Sequence, residues 1–142
     1  MNLHWQYSLD NIDWQELSEL YRQAPLGEKK PNALQQAFNN SLFKCFVFDN
    51  NKLVAVGRAL ADGVDCSYIC DIAVLPNYQG AGLGKKIVQH LVESSRGHKK
   101  IILYAYPGKQ TFYEKLGFKP MTTAMAIFEN QTQAMEWGLI RE

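Results

Sequence analysis

The sequence predicts a mixed α+β fold, with helices laid on a central twisted sheet. Three observations predict it. Residues 42–75 read as three successive strands punctuated by turn residues. Two stretches, residues 14–21 and 83–92, carry apolar side chains at helical spacing. A short apolar run at residues 101–104 follows the second helix, and the order strand, helix, strand makes a right-handed parallel crossover.

Taken in order, residues 3–8 alternate weakly and read as a first strand. Asp10 or Asn11 can cap a helix that begins near Ile12, in which Trp14, Leu17, Leu20 and Tyr21 recur three and four apart. Pro25, Gly27 and the run Glu28-Lys29-Lys30 break it into a polar loop, and Pro31 suits the first turn of a second helix through Phe38. Residues 42–48 are rich in aromatic and branched side chains, Asp49-Asn50-Asn51 is turn chemistry, and residues 53–60 return. Asp62-Gly63 makes a second turn into a very apolar strand at residues 67–75. An antiparallel meander is the simplest arrangement of the three.

After Pro76 the period changes. Leu83, Ile87, Val88, Leu91 and Val92 share one face of a helix that Arg96-Gly97 ends. Pro107-Gly108 opens a short helix carrying Phe112, Tyr113 and Leu116, and Gly117 terminates it. Phe118 leads into an expected strand around residues 122–128. The tail from Asn130 reads as a last helical turn, with Trp137 packed back onto the domain. There is no internal repeat, low-complexity segment or linker, so residues 1–142 are expected to form one domain.

Composition narrows the function. Hydrophobic residues make up 46% of the 142, enough for a real core, and the formal net charge of +1 argues against a nucleic-acid or membrane binder. The three cysteines, Cys45, Cys66 and Cys70, form no secreted disulfide framework. The first residues do not read as a signal peptide, and no apolar stretch approaches the ~20 residues that span a bilayer. The expectation is a reduced, cytoplasmic protein. Cys66-x-x-x-Cys70 is not zinc spacing in a strand, and His4, His90 and His98 are scattered, His90 on a solvated helix face. No metal is expected, and no cysteine nucleophile with a histidine partner.

The informative stretch is Asp71-Ile72-Ala73-Val74-Leu75-Pro76 followed by Gln79-Gly80-Ala81-Gly82-Leu83-Gly84-Lys85-Lys86. A strand ends, a glycine-rich turn follows and a helix begins. Helix N-termini present unpaired N–H groups and partial positive charge, and glycines let a ligand come close. Together they suit phosphate. A plain strand-to-helix turn with glycines chosen for packing is the alternative. There is no Gly-Lys-Ser/Thr of a Walker loop, and the glycine spacing is wrong for a dinucleotide fingerprint.

Gln79 to Gly84 match the pattern Q/R-x-x-G-x-G/A, and Phe112-Tyr113-Glu114-Lys115-Leu116-Gly117-Phe118 stands downstream. These pieces, in this order, resemble the GNAT superfamily of N-acetyltransferases, from about Leu53 to Phe128. The resemblance implies a GNAT-like fold: a mostly antiparallel sheet with a splayed parallel strand pair, the strand at residues 67–75 bulged and parting from that at 101–104. It implies acetyl-CoA as cosubstrate, its pyrophosphate on Gln79, Gly80, Ala81, Gly82, Leu83, Gly84 and Lys85, and its pantetheine arm along Ile72, Ala73 and Val74. The oxyanion would meet an N–H of Ala73 or Val74.

Acyl transfer to an amine needs a neutral amine, a donor for the oxyanion and a proton or hydrogen bond for the leaving thiolate. By the resemblance Tyr113 is the expected general acid, pointing into a cleft while Phe112 and Leu116 take the core face. Asp71, an acid in an apolar strand, is the candidate base, or else a structural partner of backbone N–H groups. Strand alternation sets Ser67, Ile69, Asp71 and Ala73 on one face and Cys66, Tyr68, Cys70, Ile72 and Val74 on the other. Tyr106 stands where the family often has an asparagine, and the helix start near Gly108 to Gln110 is its expected replacement. Arg58 reads as a paired surface arginine, or as an anchor for an acidic group. The acceptor would be a small-molecule amine or a protein amino group, and a homodimer is compatible. The other class left open is an acyl-CoA-binding sensor or interaction module without turnover.

Overall fold

Two tight turns fold the middle of the chain back on itself. In the computed structural model, which describes residues 1–142, Asn50 takes a left-handed backbone (φ 54°) between β2 (Phe43–Asp49) and β3 (Lys52–Ala61). Asparagine tolerates that conformation better than most residues. At the next turn Asp62 Oδ1 accepts the N–H groups of Val64, Asp65 and Cys66 at 2.8, 2.7 and 3.2 Å. β4 (Cys66–Val74) then returns antiparallel to β3. β1 (Leu3–Gln6) pairs antiparallel with the far side of β2, and β5 (Lys100–Ile102) lies parallel to β4. The five strands run β1-β2-β3-β4-β5 across the sheet, the mostly antiparallel order with one parallel pair that the resemblance implies.

Helices cover both faces. α1 (Trp14–Gln23) starts later than the sequence suggests, because Asn11 is spent on a left-handed turn (φ 58°) and Asp13 is the cap. Its Oδ1 accepts the N–H groups of Gln15 and Glu16 at 3.0 and 3.2 Å. Glu16 in turn accepts the N–H of Leu53 on β3 at 3.0 Å, which ties the helix start to the sheet. α2 (Pro31–Asn39) begins on Pro31, as predicted. α3 (Leu83–Ser94) buries Leu83, Ile87, Val88 and Leu91. The Arg58 guanidinium lies 5.8 Å from the centre of the Phe38 ring on α2, while the neighbouring Gly57 faces Ile87 and Leu91 on α3. Successive strand residues point to opposite faces, so α1 and α2 lie on one side and α3 on the other. Leu17, Tyr21, Phe38, Phe46, Val56 and Ile87 are fully buried between these layers. No helix is long and apolar enough to cross a membrane.

The chain divides into two compact units, Met1–Leu103 and Tyr104–Glu142. The first holds the whole sheet. The second holds α4 (Gln110–Glu114) and α5 (Gln131–Glu136), the latter capped by Asn130 Oδ1 on the Gln133 N–H at 2.9 Å. Here two expectations fail. Residues 122–128 form no strand, and Met125 and Ile127 are 97% and 95% exposed. An apolar run suggests a strand, but a strand exists only by pairing. Trp137 is exposed rather than packed down, and Ala134 takes the buried position of α5.

Gly57 is a point of close contact. A Cβ there would stand 2.6 Å from Ile87 Cγ2 and 2.7 Å from Ile72 Cδ1. Gly57→Ala therefore overpacks the core under α3 and is expected to destabilise by ~1–3 kcal/mol. The measurement is urea unfolding, with a lower midpoint and an unchanged slope.

Candidate active site

One extra residue in β4 builds the site. Val56 pairs with Ala73 and Arg58 with Cys70, so Gly57 alone stands opposite both Asp71 and Ile72. This is a β-bulge, and Asp71 carries its left-handed residue (φ 57°). The extra residue overturns the simple alternation. Ser67 hydrogen-bonds Ser95 at the end of α3, and Ile72 and Val74 also reach the α3 side. Asp71 does not share that face with Ser67; it turns toward α1 and α2. β5 pairs with Cys66, Ser67 and Tyr68 and no further. From Ile69 to Val74, then, β4 runs past the end of its parallel neighbour. These are the bulge and the parting of strands that the resemblance implies.

Asp71 is the centre of a charged cluster on the α1–α2 face. Arg58 Nε donates to its Oδ2 at 2.9 Å and Arg58 Nη2 lies 2.8 Å from the same oxygen. Lys29 Nζ stands 3.7 Å from Oδ1, over the Tyr21 ring, and the Ser18 hydroxyl holds the Lys29 carbonyl. Arg58 Nη1 also donates to Ser41 Oγ at 3.2 Å. Arg58 is thus paired, as expected, but it is not a surface residue: its side chain is 14% exposed. The fully buried Tyr21 hydroxyl donates to the Asp71 backbone carbonyl at 2.7 Å. Neither Tyr21 nor Lys29 stands out in the sequence. The one available signal was a phenol on an otherwise aliphatic buried face, since a buried hydroxyl requires a partner.

The glycine-rich turn follows β4 directly. Tyr78, in the 3-10 turn Pro76–Tyr78, donates its hydroxyl to Asp49 Oδ2 at 2.6 Å and so fixes the turn to the end of β2. Gln79 turns its side chain back, donating to the Val74 carbonyl at 2.9 Å and the Ala24 carbonyl at 3.4 Å. It braces the turn. Gly80 and Gly82 have φ of 84° and 82°, with open space where a Cβ would sit. Gly82 is the N-cap of α3 and offers no side-chain cap; the first bond of the helix runs from the Lys86 N–H to the Gly82 carbonyl at 3.1 Å. The N–H groups of Leu83, Gly84 and Lys85 therefore have no partner within the helix. No acidic residue sits in this first turn, and neither Lys85 nor Lys86 forms an ion pair. Cations at a helix N-terminus oppose its dipole, at about 0.3–1 kcal/mol each. A polyanion would remove that cost.

Tyr113 belongs to the second unit. It is half-buried between Phe112 and Phe118, in edge contacts with ring centres 5.0 and 6.1 Å away. Burial pushes its phenol above the ordinary value of 10.0. Phe112 is 39% exposed rather than buried as expected. The N–H of Gly108, at the start of α4, donates to Gln110 Oε1 at 2.8 Å. Tyr106 is exposed. His90 is partly exposed on the helix face: its ring stacks on Tyr7 at 4.4 Å, and partial burial lowers its pKa.

The chain matches the Acetyltransferase (GNAT) family over residues 7–118, most of its length, and it belongs to that family. It is 32% identical to a rice chloroplastic serotonin N-acetyltransferase over 135 residues, covering 89% of this chain and 68% of that protein. It is 30% identical to an uncharacterized ycf52-like N-acetyltransferase of Prochlorococcus marinus, across 75% of this chain and 63% of the relative, so it spans less than two thirds of that protein's length. A solved GNAT-family acetyltransferase from Streptococcus pneumoniae superposes with a TM-score of 0.74 at 21% identity, covering 90% of this chain and 99% of that one, and so shares the fold.

Burial raises the thiol of Cys45 to about 12 and that of Cys70 to about 11, the latter against the opposing charge of Arg58. Cys66 is partly exposed. Titration with an aromatic disulfide at pH 8 is expected to modify Cys66 first and to reach Cys45 only on unfolding.

Proposed function

We propose that this chain transfers the acetyl group of acetyl-CoA to a primary amine by direct attack on the thioester. The observation that carries the reading is the uncapped start of α3, with two left-handed glycines and two unpaired lysines, placed directly after a bulged strand that has lost its parallel neighbour. The first feature fits a diphosphate and the second fits an extended arm. The residues that would hold acetyl-CoA are Gly80, Ala81, Gly82, Leu83, Gly84 and Lys85 at the phosphates and Ile72, Ala73 and Val74 along the arm. Gln79 serves by bracing the turn. Acetyl-CoA supplies the activated carbonyl that the amine attacks.

The protein's part is to orient and to move one proton. The N–H of Ala73 or Val74 is the proposed donor to the carbonyl oxygen. Tyr113 is the proposed acid: its phenol gives a proton to the sulfur as the C–S bond breaks, and the proton shed by the attacking nitrogen returns to the phenolate through solvent. Both oxygens of Asp71 already face cations, which leaves them little to offer an ammonium proton. The proposal therefore assigns Asp71 to holding the bulge, and the amine enters neutral. The acceptor is a small-molecule amine or a protein amino group; serotonin, after the rice relative's name, belongs in the first panel. Three free cysteines suit a reducing compartment, whether cytoplasm or plastid.

The direct test is release of coenzyme A thiol from acetyl-CoA when the protein meets an amine panel. Binding without release would mark an acyl-CoA sensor instead. Replacing Lys85 and Lys86 together by alanine is expected to weaken coenzyme A binding about tenfold, a loss that shrinks toward 1 M salt; calorimetry at two salt concentrations measures it. Tyr113→Phe is expected to lower kcat by ~100-fold with little change in KM. The acting form of Tyr113 is the protonated one and its pKa is raised, so wild-type kcat should hold through pH 10.0 and fall above it. The variant's pH profile should lack that alkaline fall.

A further inference from the structure

The Tyr21 hydroxyl takes no part in the chemistry proposed above, yet it is fully buried and donates to one acceptor, the carbonyl of Asp71 at 2.7 Å. Asp71 is the left-handed residue of the bulge, a conformation that a residue with a Cβ adopts only under constraint. Its side chain is held separately by Arg58 and Lys29. The peptide joining Asp71 to Ile72 is trans and planar, so its C=O and N–H point in opposite directions. Holding the carbonyl toward α1 therefore aims the Ile72 N–H away from α1 and sets the course of the backbone into Ala73 and Val74.

We propose that Tyr21 is a positioning residue: its hydroxyl locks the Asp71 carbonyl and thereby holds the bulge in the one orientation that presents Ile72, Ala73 and Val74 to the acyl arm. The catalytic half of this statement rests on the acetyltransferase reading, and the geometric half does not. Burial first, and then the Asp71 charge, raise the Tyr21 phenol well above 10.0, so the O–H donor persists across the working range of pH. The carboxylate of Asp71 cannot substitute for it, because the bond is to the main chain. A purely packing role for Tyr21 would be served equally by phenylalanine, which keeps the ring.

The experiment is Tyr21→Phe, read in two ways. In the ligand-free protein, amide hydrogen exchange at Asp71, Ile72 and Ala73 is expected to rise about tenfold or more, while Val54 and Leu91 in the core keep their wild-type protection and so report an intact fold. In steady-state kinetics, kcat is expected to fall about tenfold or more with KM for acetyl-CoA within about threefold of wild type. Unchanged exchange at the bulge overturns the lock, whatever the rate does. Faster exchange with an unchanged kcat overturns the positioning role. Wild-type protein that fails to bind or turn over acetyl-CoA would sink the acetyltransferase reading by itself, and exchange at the bulge would still decide whether Tyr21 holds it.

Discussion

One inserted residue in β4 governs the architecture of the first unit. Because Gly57 faces both Asp71 and Ile72, the strand changes the side to which its residues point halfway along. Before the bulge, Ser67 reaches the end of α3; after it, Ile72 and Val74 do so in its place, and Asp71 is thrown to the side of α1 and α2. A carboxylate thus arrives beside Arg58 and Lys29 instead of under an aliphatic helix, where it would lack partners. The same irregularity begins just beyond the last residue that β5 pairs, so the end of β4 is committed to one neighbour, β3. A glycine opposite the bulge is what lets Ile72 and Ile87 close over it.

The start of α3 shows the opposite economy. A helix built for stability would carry an acid or a hydroxyl at its cap. This one carries glycines and two lysines, and it is held by the burial of Leu83, Ile87, Val88 and Leu91 instead. Packing on one face leaves the N-terminus free to remain electrostatically unsatisfied. Tyr78 and Gln79 fasten the turn from the other side, through Asp49 and the Val74 carbonyl, so the exposed N–H groups sit on a rigid mount. Bulge and turn are separated by only a few residues of chain, which places an extended backbone edge next to an uncapped helix start within one continuous segment.

Much of this was legible in the residues. The helical faces of α1 and α3, the turns at Asn50 and Gly63, the proline start of α2 and the crossover into β5 all follow from local periodicity and turn chemistry, which are properties of neighbouring residues. The place of the glycine-rich turn was equally plain, because Pro76 and the glycines at 80, 82 and 84 end one period and precede another. What failed did so for want of a neighbour. Residues 122–128, expected as a strand, form none, and Trp137 is as apolar as a core residue while 53% exposed. The α1 cap moved from Asp10 or Asn11 to Asp13 because Asn11 is spent on a turn whose φ the sequence does not print.

The sequence by itself determined the order of elements through β5, the family and the position of the glycine-rich turn before α3, since each is written in contiguous residues. Only the tertiary structure decided where Asp71 points, that Tyr21 is bonded to its carbonyl, that Arg58 is sheltered and that Phe112 is exposed. Those facts depend on register between strands distant along the chain. A shift of one residue in that register reverses every side chain beyond it.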